Sequence, residues 1–132
     1  MKPLYRQAFG KEYALDKVDN LEGEVWKPID SGGKYYISNL GRIKSYQYRE
    51  AKLLKPYPNQ YCYLRVDIQT DRRRTYLVHQ LVALAFVPND NPIEKDTIDH
   101  IDLDKTNNRA DNLRWLSRGD NVRAYQHQKK LR

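Results

Sequence analysis

One segment sets what the rest of this chain must pack around. In YLVHQLVALAFV (residues 76–87) apolar side chains fall at 77, 78, 81, 82, 84, 85 and 86, the wide stripe of a largely buried helix, and Pro88 is placed to stop it. Elsewhere the 132 residues are polar: hydrophobic residues make up 39% and mean hydropathy is −0.93, so the core is modest and this helix belongs in it. Fifteen aromatics argue against a disordered polyelectrolyte. The length suits one compact unit or two small, closely associated modules.

Between Glu24 and Leu77 the pattern is different. EVWKPI, KYYIS, GRIKSY, KLLKPY, YLRVDIQ and TYLV alternate or cluster β-branched and aromatic residues, and DSGG, NLG, PNQ and TDRR separate them. A small antiparallel sheet is expected. Basic residues interleave with its tyrosines: Arg42, Lys44, Arg49, Lys52 and Lys55, then Arg65, Arg72, Arg73 and Arg74. Singly, each reads as the wet face of a half-buried sheet. As a set they suggest a surface that faces nucleic acid. Upstream, KEYALDKVDNLEG has the option of a short helix ended by Gly23, although its apolar spacing is weak.

Charge narrows the partners. Twenty-four Lys and Arg against seventeen Asp and Glu give a net charge of +7, which suits a phosphate backbone, with an anionic membrane or plain solubility as the other uses of such a balance. No apolar run reaches the length of a membrane span, and MKPLYRQAFG lacks the apolar core of a signal peptide, so a soluble, intracellular protein is expected. Cys62 is the single cysteine, which excludes an internal disulfide and a thiolate zinc cluster. Any metal must be held by oxygen and imidazole.

The stretch TIDHIDLDKTNNRADNLRW (97–115) concentrates the groups that could do chemistry. TIDHI and LRWL read as two short strands around a polar loop, and Ser117 with Asp120 forms a Ser-x-x-Asp capping signal for a following helix, with Asn121 in its first turns. Hydrolysis of a phosphodiester needs a base for the attacking water and stabilisation of the charge that builds on oxygen; an imidazole and a hard cation supply both. His100 is the candidate base. Asp99 and Asn121 offer the oxygen ligands that suit Mg²⁺ or Mn²⁺. Asp99 and His100 are adjacent, however, and strand alternation sends their side chains to opposite faces unless the strand end distorts. A calcium loop starting at Asp102 fails, because its sixth position is Asn107 rather than Gly and its twelfth is Leu113 rather than Glu. Turn formation alone remains a reading for most of these Asp and Asn residues.

The order Asp99-His100, Asn112, Asn121, in the wording VHQLVALAFVP and DHIDLDKTNNRADNLRWLSRGDN, resembles the ββα-metal motif of HNH nucleases, in the subgroup of phage and intron-encoded homing endonucleases. EVWKPIDSGGKYYISNLGRIKS resembles the NUMOD-type DNA-binding module that often precedes that motif. Such a resemblance implies an α+β fold: an N-terminal extension (1–23), a small antiparallel β-sheet module (24–76), a core helix and ββα-metal nuclease motif (77–122), and a basic tail (123–132). It implies Asp99 and Asn121 as ligands of one divalent cation, Mg²⁺ or Mn²⁺, with no structural zinc; His100 as general base; and Asn112 as the brace of the loop. It implies double-stranded DNA as partner, cut to 5′-phosphate and 3′-hydroxyl ends by nicking or by double-strand cleavage, in a monomer or homodimer of the phage-encoded kind that acts in a host cytoplasm. The usual Asp-Gly turn after the His strand reads Asp102-Leu103 here.

Arg114, Arg118 and Arg123 join the sheet cations as expected DNA contacts. The tail, VRAYQHQKKLR, suits either a basic helix along the backbone or a frayed end. His79, on the apolar helix, reads either as a hydrogen-bonded core histidine or as a helper at the scissile phosphate. The alternative from another class is a non-catalytic DNA-binding or regulatory protein that keeps this fold; a structural RNA-binding protein rests only on charge and exposed tyrosines.

Overall fold

A computed structural model describes residues 5–8, 11–15, 18–30, 32–47 and 50–130. Strands β1 (Tyr5–Ala8) and β2 (Lys11–Leu15) pair antiparallel. Among the described residues, the helix considered for KEYALDKVDNLEG does not form. Its weak apolar spacing offers no face to bury, whereas a partner strand satisfies the backbone groups directly. A turn closed by the Glu24 N–H donating to Leu21 O (3.0 Å) precedes the next strand.

The sheet expected between 24 and 77 is two sheets. The first runs β3 (Trp26–Pro28), β4 (Tyr35–Ser38), β5 (Ile43–Ser45) and β6 (Lys52–Leu54) in sequence order, and the second β7 (Tyr57–Pro58), β8 (Leu64–Gln69) and β9 (Arg73–Leu77). All neighbours are antiparallel. KLLKPY is shared between them: it supplies β6 to one and the start of β7 to the other, and the break falls at Lys55-Pro56. Proline has no N–H to carry a ladder onward.

Helix α1 (Val78–Phe86) follows β9 without an intervening residue. Its Val78, Leu81, Val82 and Ala83 pack with Tyr35, Ile37 and Ile43 of the first sheet and Val66 and Ile68 of the second, so one core serves both sheets. The core also takes in Leu113 of the C-terminal hairpin, β10 (Thr97–His100) with β11 (Leu113–Leu116). Trp115 Nε1 donates to Val87 O (3.0 Å), which fastens that hairpin to the end of α1. Burying a side chain such as Leu113 or Val82 contributes about 1.5–3 kcal/mol each, so α1 is the element whose loss would separate everything else. Among the described residues no helix is long and apolar enough to cross a membrane.

Helix α2 (Arg118–Lys130) begins as its capping signal requires: Ser117 Oγ accepts the Asp120 N–H (3.2 Å). It continues through Lys130, so Arg123 and most of the basic tail are helical and residue 122 marks no structural break. Arg132 lies outside the described residues.

Candidate active site

The loop between β10 and β11 is tied from its far end. Asn112 Nδ2 donates to Asp102 Oδ1 (2.9 Å) and Asn107 O (2.8 Å), and its Oδ1 accepts the Asp102 N–H (3.1 Å). The Ile101 N–H donates to Asn112 O (2.9 Å). Both ends of the loop are thereby held by one side chain and its backbone, buried to 8% exposure. Asp102, Asp104 and Asn107 are absorbed in the loop itself, and hydrogen bonds from Asn107 and from the Asp104 N–H hold the Asp102 carboxyl below the usual carboxylate range. At the position where the Asp-Gly turn is usual, Leu103 adopts φ +66°. The left-handed turn is therefore built without glycine, at a cost of about 1–2 kcal/mol. The Leu103 N–H closes that turn on His100 O (2.9 Å).

The β10–β11 register runs unbroken through His100 and Leu113, yet neighbours along β10 border the same cleft. Asp99, His100 and Asn121 all line one cleft of about 650 Å³, together with Tyr63, Lys105, Arg118 and Tyr125. Asp99 and His100 are 7% and 5% exposed. Asp99 lies opposite Arg114 in the ladder, and Arg114 Nε donates to Asp99 Oδ2 (2.8 Å). Asn121 Nδ2 donates to Thr97 Oγ1 (3.1 Å) and reaches Ile98 O (3.5 Å). Those bonds use the nitrogen and leave the amide oxygen, the atom a hard cation takes. Asp99 likewise keeps one carboxylate oxygen beyond Arg114. Two such oxygens, with water and phosphate able to complete the shell, are a donor set that a hard divalent cation would fit.

His100 has a partner that the sequence did not single out: its Nε2 lies 2.7 Å from Asn108 Oδ1. Behind it sits His79, with ring centroids 5.2 Å apart, and Tyr63 contacts both rings. His79 Nδ1 is buried without a partner, and burial, helped by the His100 charge, pushes the His79 imidazole down to about 4. His79 is therefore neutral, is not hydrogen-bonded at Nδ1, and supports His100 from behind rather than lining the cleft. The loop and the second sheet also meet here, since Lys105 Nζ donates to Tyr61 O (3.0 Å) and lies 4.7 Å from the Tyr63 ring centroid.

The expected DNA-contacting cations divide sharply. Lys44 is not at the surface: at 3% exposure it lies under the rings of Trp26 (4.3 Å) and Tyr46 (5.4 Å). Val18, Tyr46 and Ala51, with Trp26 and Tyr36, cover the face of the first sheet that its alternation suggested was wet. Arg42 is also engaged internally: it pairs with Glu24 through two hydrogen bonds, donates to Asp19 O (2.7 Å) and packs on Trp26 (5.5 Å). Arg65 stacks on Tyr57 (4.7 Å), and exposed Arg73 pairs with Asp67 (2.6 Å). Lys55, Arg72, Arg74 and Arg118 are exposed, and exposed Arg123 pairs with Asp120. Arg49 lies outside the described residues.

Comparison with known proteins follows the same division of the chain. Residues 24–69 match the NUMOD4 motif and residues 76–123 match HNH endonuclease. The C-terminal part of the chain thus carries the sequence pattern of the HNH endonuclease family. The chain is 37% identical over 108 residues to an uncharacterized HNH endonuclease of Acanthamoeba polyphaga mimivirus, covering 76% of this chain and 26% of that protein. It is 34% identical over 99 residues to the DNA endonuclease I-HmuI of Bacillus phage SP01, covering 74% of this chain and 55% of that one. A solved structure described as DNA binding and cleavage by the HNH homing endonuclease I-HmuI has a TM-score of 0.67 at 32% identity, covering 82% of this chain and 61% of that chain. The chain thus spans from about a quarter to three-fifths of these relatives.

Proposed function

We propose that this chain is a divalent-metal-dependent DNA endonuclease of the homing type. The observation that carries the reading is the meeting of Asp99, His100 and Asn121 on one cleft, within the segment that matches HNH endonuclease. DNA as substrate is supported by the NUMOD4 match, by the +7 charge, and by the relative described as binding and cleaving DNA.

The reaction follows from the side chains. His100 takes a proton from a water at its free ring nitrogen as that water attacks phosphorus in line with the leaving 3′ oxygen, giving 5′-phosphate and 3′-hydroxyl ends. Asp99 and Asn121 would hold one Mg²⁺ or Mn²⁺, which supplies charge stabilisation at the phosphoryl and leaving oxygens. Arg118 and Lys105, also on the cleft, draw in the phosphate backbone. Arg114 keeps the Asp99 carboxylate aimed.

Nicking of supercoiled plasmid with Mg²⁺ or Mn²⁺, with and without chelator, tests the reading. Cleavage should require the cation while gel-shift binding persists without it. His100→Ala should bind DNA and cut about 10²–10⁴-fold more slowly. Asp99→Ala and Asn121→Ala should each raise the cation concentration needed for half-maximal cleavage. Undiminished cleavage by His100→Ala would reject the base, and unchanged cation titrations in the other two would reject the metal pair.

A further inference from the structure

The contact between His100 and Asn108 decides which ring nitrogen can act. Asn108 is 4% exposed, and its Oδ1 lies 2.7 Å from His100 Nε2. A carbonyl oxygen only accepts, so this contact requires the proton on Nε2 and leaves the lone pair on Nδ1. Without Asn108 a neutral imidazole distributes its proton between both nitrogens, and a fraction of molecules present an N–H where a base is needed.

Asn108 is not explained by loop packing alone. Its Nδ2 is buried without a partner, a state that costs about 1–3 kcal/mol and that an apolar residue would avoid. Its backbone is held from outside the loop, by the first sheet. In the turn between β4 and β5, Gly41 has φ +86°, and a Cβ there would stand 3.1 Å from Asn108 O and 3.3 Å from both its carbonyl carbon and its Cβ. Two residues away the Ala110 N–H donates to Asn39 O (2.8 Å). The same turn is locked internally by Ser38, whose Oγ accepts the Leu40 and Arg42 N–H groups.

We propose that Asn108 is a positioning residue for the general base, fixing the proton on His100 Nε2 so that Nδ1 receives the proton of water, and that the β4–β5 turn of the N-terminal module clamps Asn108 in that position through Gly41. The N-terminal module then contributes to catalysis as well as to DNA binding. The proposal rests on the reading of His100 as base.

Nitrogen-15 NMR of histidine-labelled full chain, in buffer alkaline enough for neutral imidazole, reads the His100 tautomer without any cleavage assay. The wild type should show the Nε2–H form. Asn108→Ala should mix the two forms and lower kcat on supercoiled plasmid about 10- to 100-fold, with KM unchanged, by analogy with removal of the hydrogen-bond partner of a metal-ligating imidazole. The isosteric Asn108→Asp, which keeps the acceptor, should restore the Nε2–H form and recover cleavage relative to Asn108→Ala. Gly41→Ala should shift the tautomer partway although it touches neither His100 nor DNA-facing cations. An Nδ1–H form in the wild type, or an unchanged tautomer in Asn108→Ala whatever its rate, overturns the proposal. His100→Ala with full cleavage would instead remove the reading beneath it, so the two failures are told apart.

Discussion

The two sheets carry similar sequence signals and use them in opposite ways. In the first, Arg42 and Lys44 are drawn inside, one bonded to Glu24 and the other capped by Trp26 and Tyr46. In the second, Arg72, Arg73 and Arg74 stay outside, and Arg73 keeps a pairing to Asp67 that solvent reaches. The difference comes from what lies on top. Residues 18–26 cover the first sheet with Val18 and Trp26, and the described residues put no such layer over the second. A basic strand is thus a statement about charge, and only its cover decides whether that charge binds DNA or holds the fold.

Four measurements bear on that contrast. The largest effect should come from Arg42→Ala, which strands a Glu24 side chain with no exposure. It should lower unfolding free energy by about 2–3 kcal/mol in a denaturant titration, with DNA affinity of the folded protein unchanged. Next, Arg72→Ala with Arg74→Ala should leave the denaturant midpoint in place and reduce the slope of log affinity against log salt by about 0.9 per lost phosphate contact. An unchanged slope would mean that the second sheet does not face DNA. Lys44→Met, which keeps the buried stem, should leave the salt slope as it was; a fall of about one charge would erase the distinction between the sheets.

The smallest effect should be on acid stability. Hydrogen bonds from Thr75, Arg73 and Tyr57 hold the Asp67 carboxyl well below the usual carboxylate range. A depressed carboxylate stabilises the fold above its unfolded pKa, and that share is lost as pH falls through the folded value. The thermal midpoint should therefore fall less steeply with acid in Asp67→Asn than in the wild type, by a modest margin because solvent still reaches this half-buried group; parallel curves would show that the triad of donors adds nothing.

Much of this was legible along the chain, and the exceptions share a cause. The α1 stripe, the β10–loop–β11–α2 order and the Ser117 cap depend on neighbours within a few positions, and each appeared as its pattern suggested. Asp99, His100 and Asn121 were singled out by spacing and do reach one cleft. What stayed hidden depends on contacts between distant segments. Asn107 and Asn108 look alike in TNNRADN, yet only Asn108 meets His100, and its support from Gly41 comes from 67 positions upstream. The burial of Lys44 needs the preceding segment folded over it. The split of the sheet at Lys55-Pro56 was written in the proline, but a two-residue β7 carries too little alternation to be noticed.

The join between β9 and α1 bears on how such chains diversify. Two separately recognisable motifs invite the picture of interchangeable cassettes. Leu77 ends one element and Val78 begins the next, and the helix that starts there is enclosed by residues from both sides of the junction. A recombinant that grafts a foreign N-terminal half onto this nuclease half would inherit a mismatched interior. Point changes on the exposed basic face of the second sheet would leave that interior intact, where swapping halves would not.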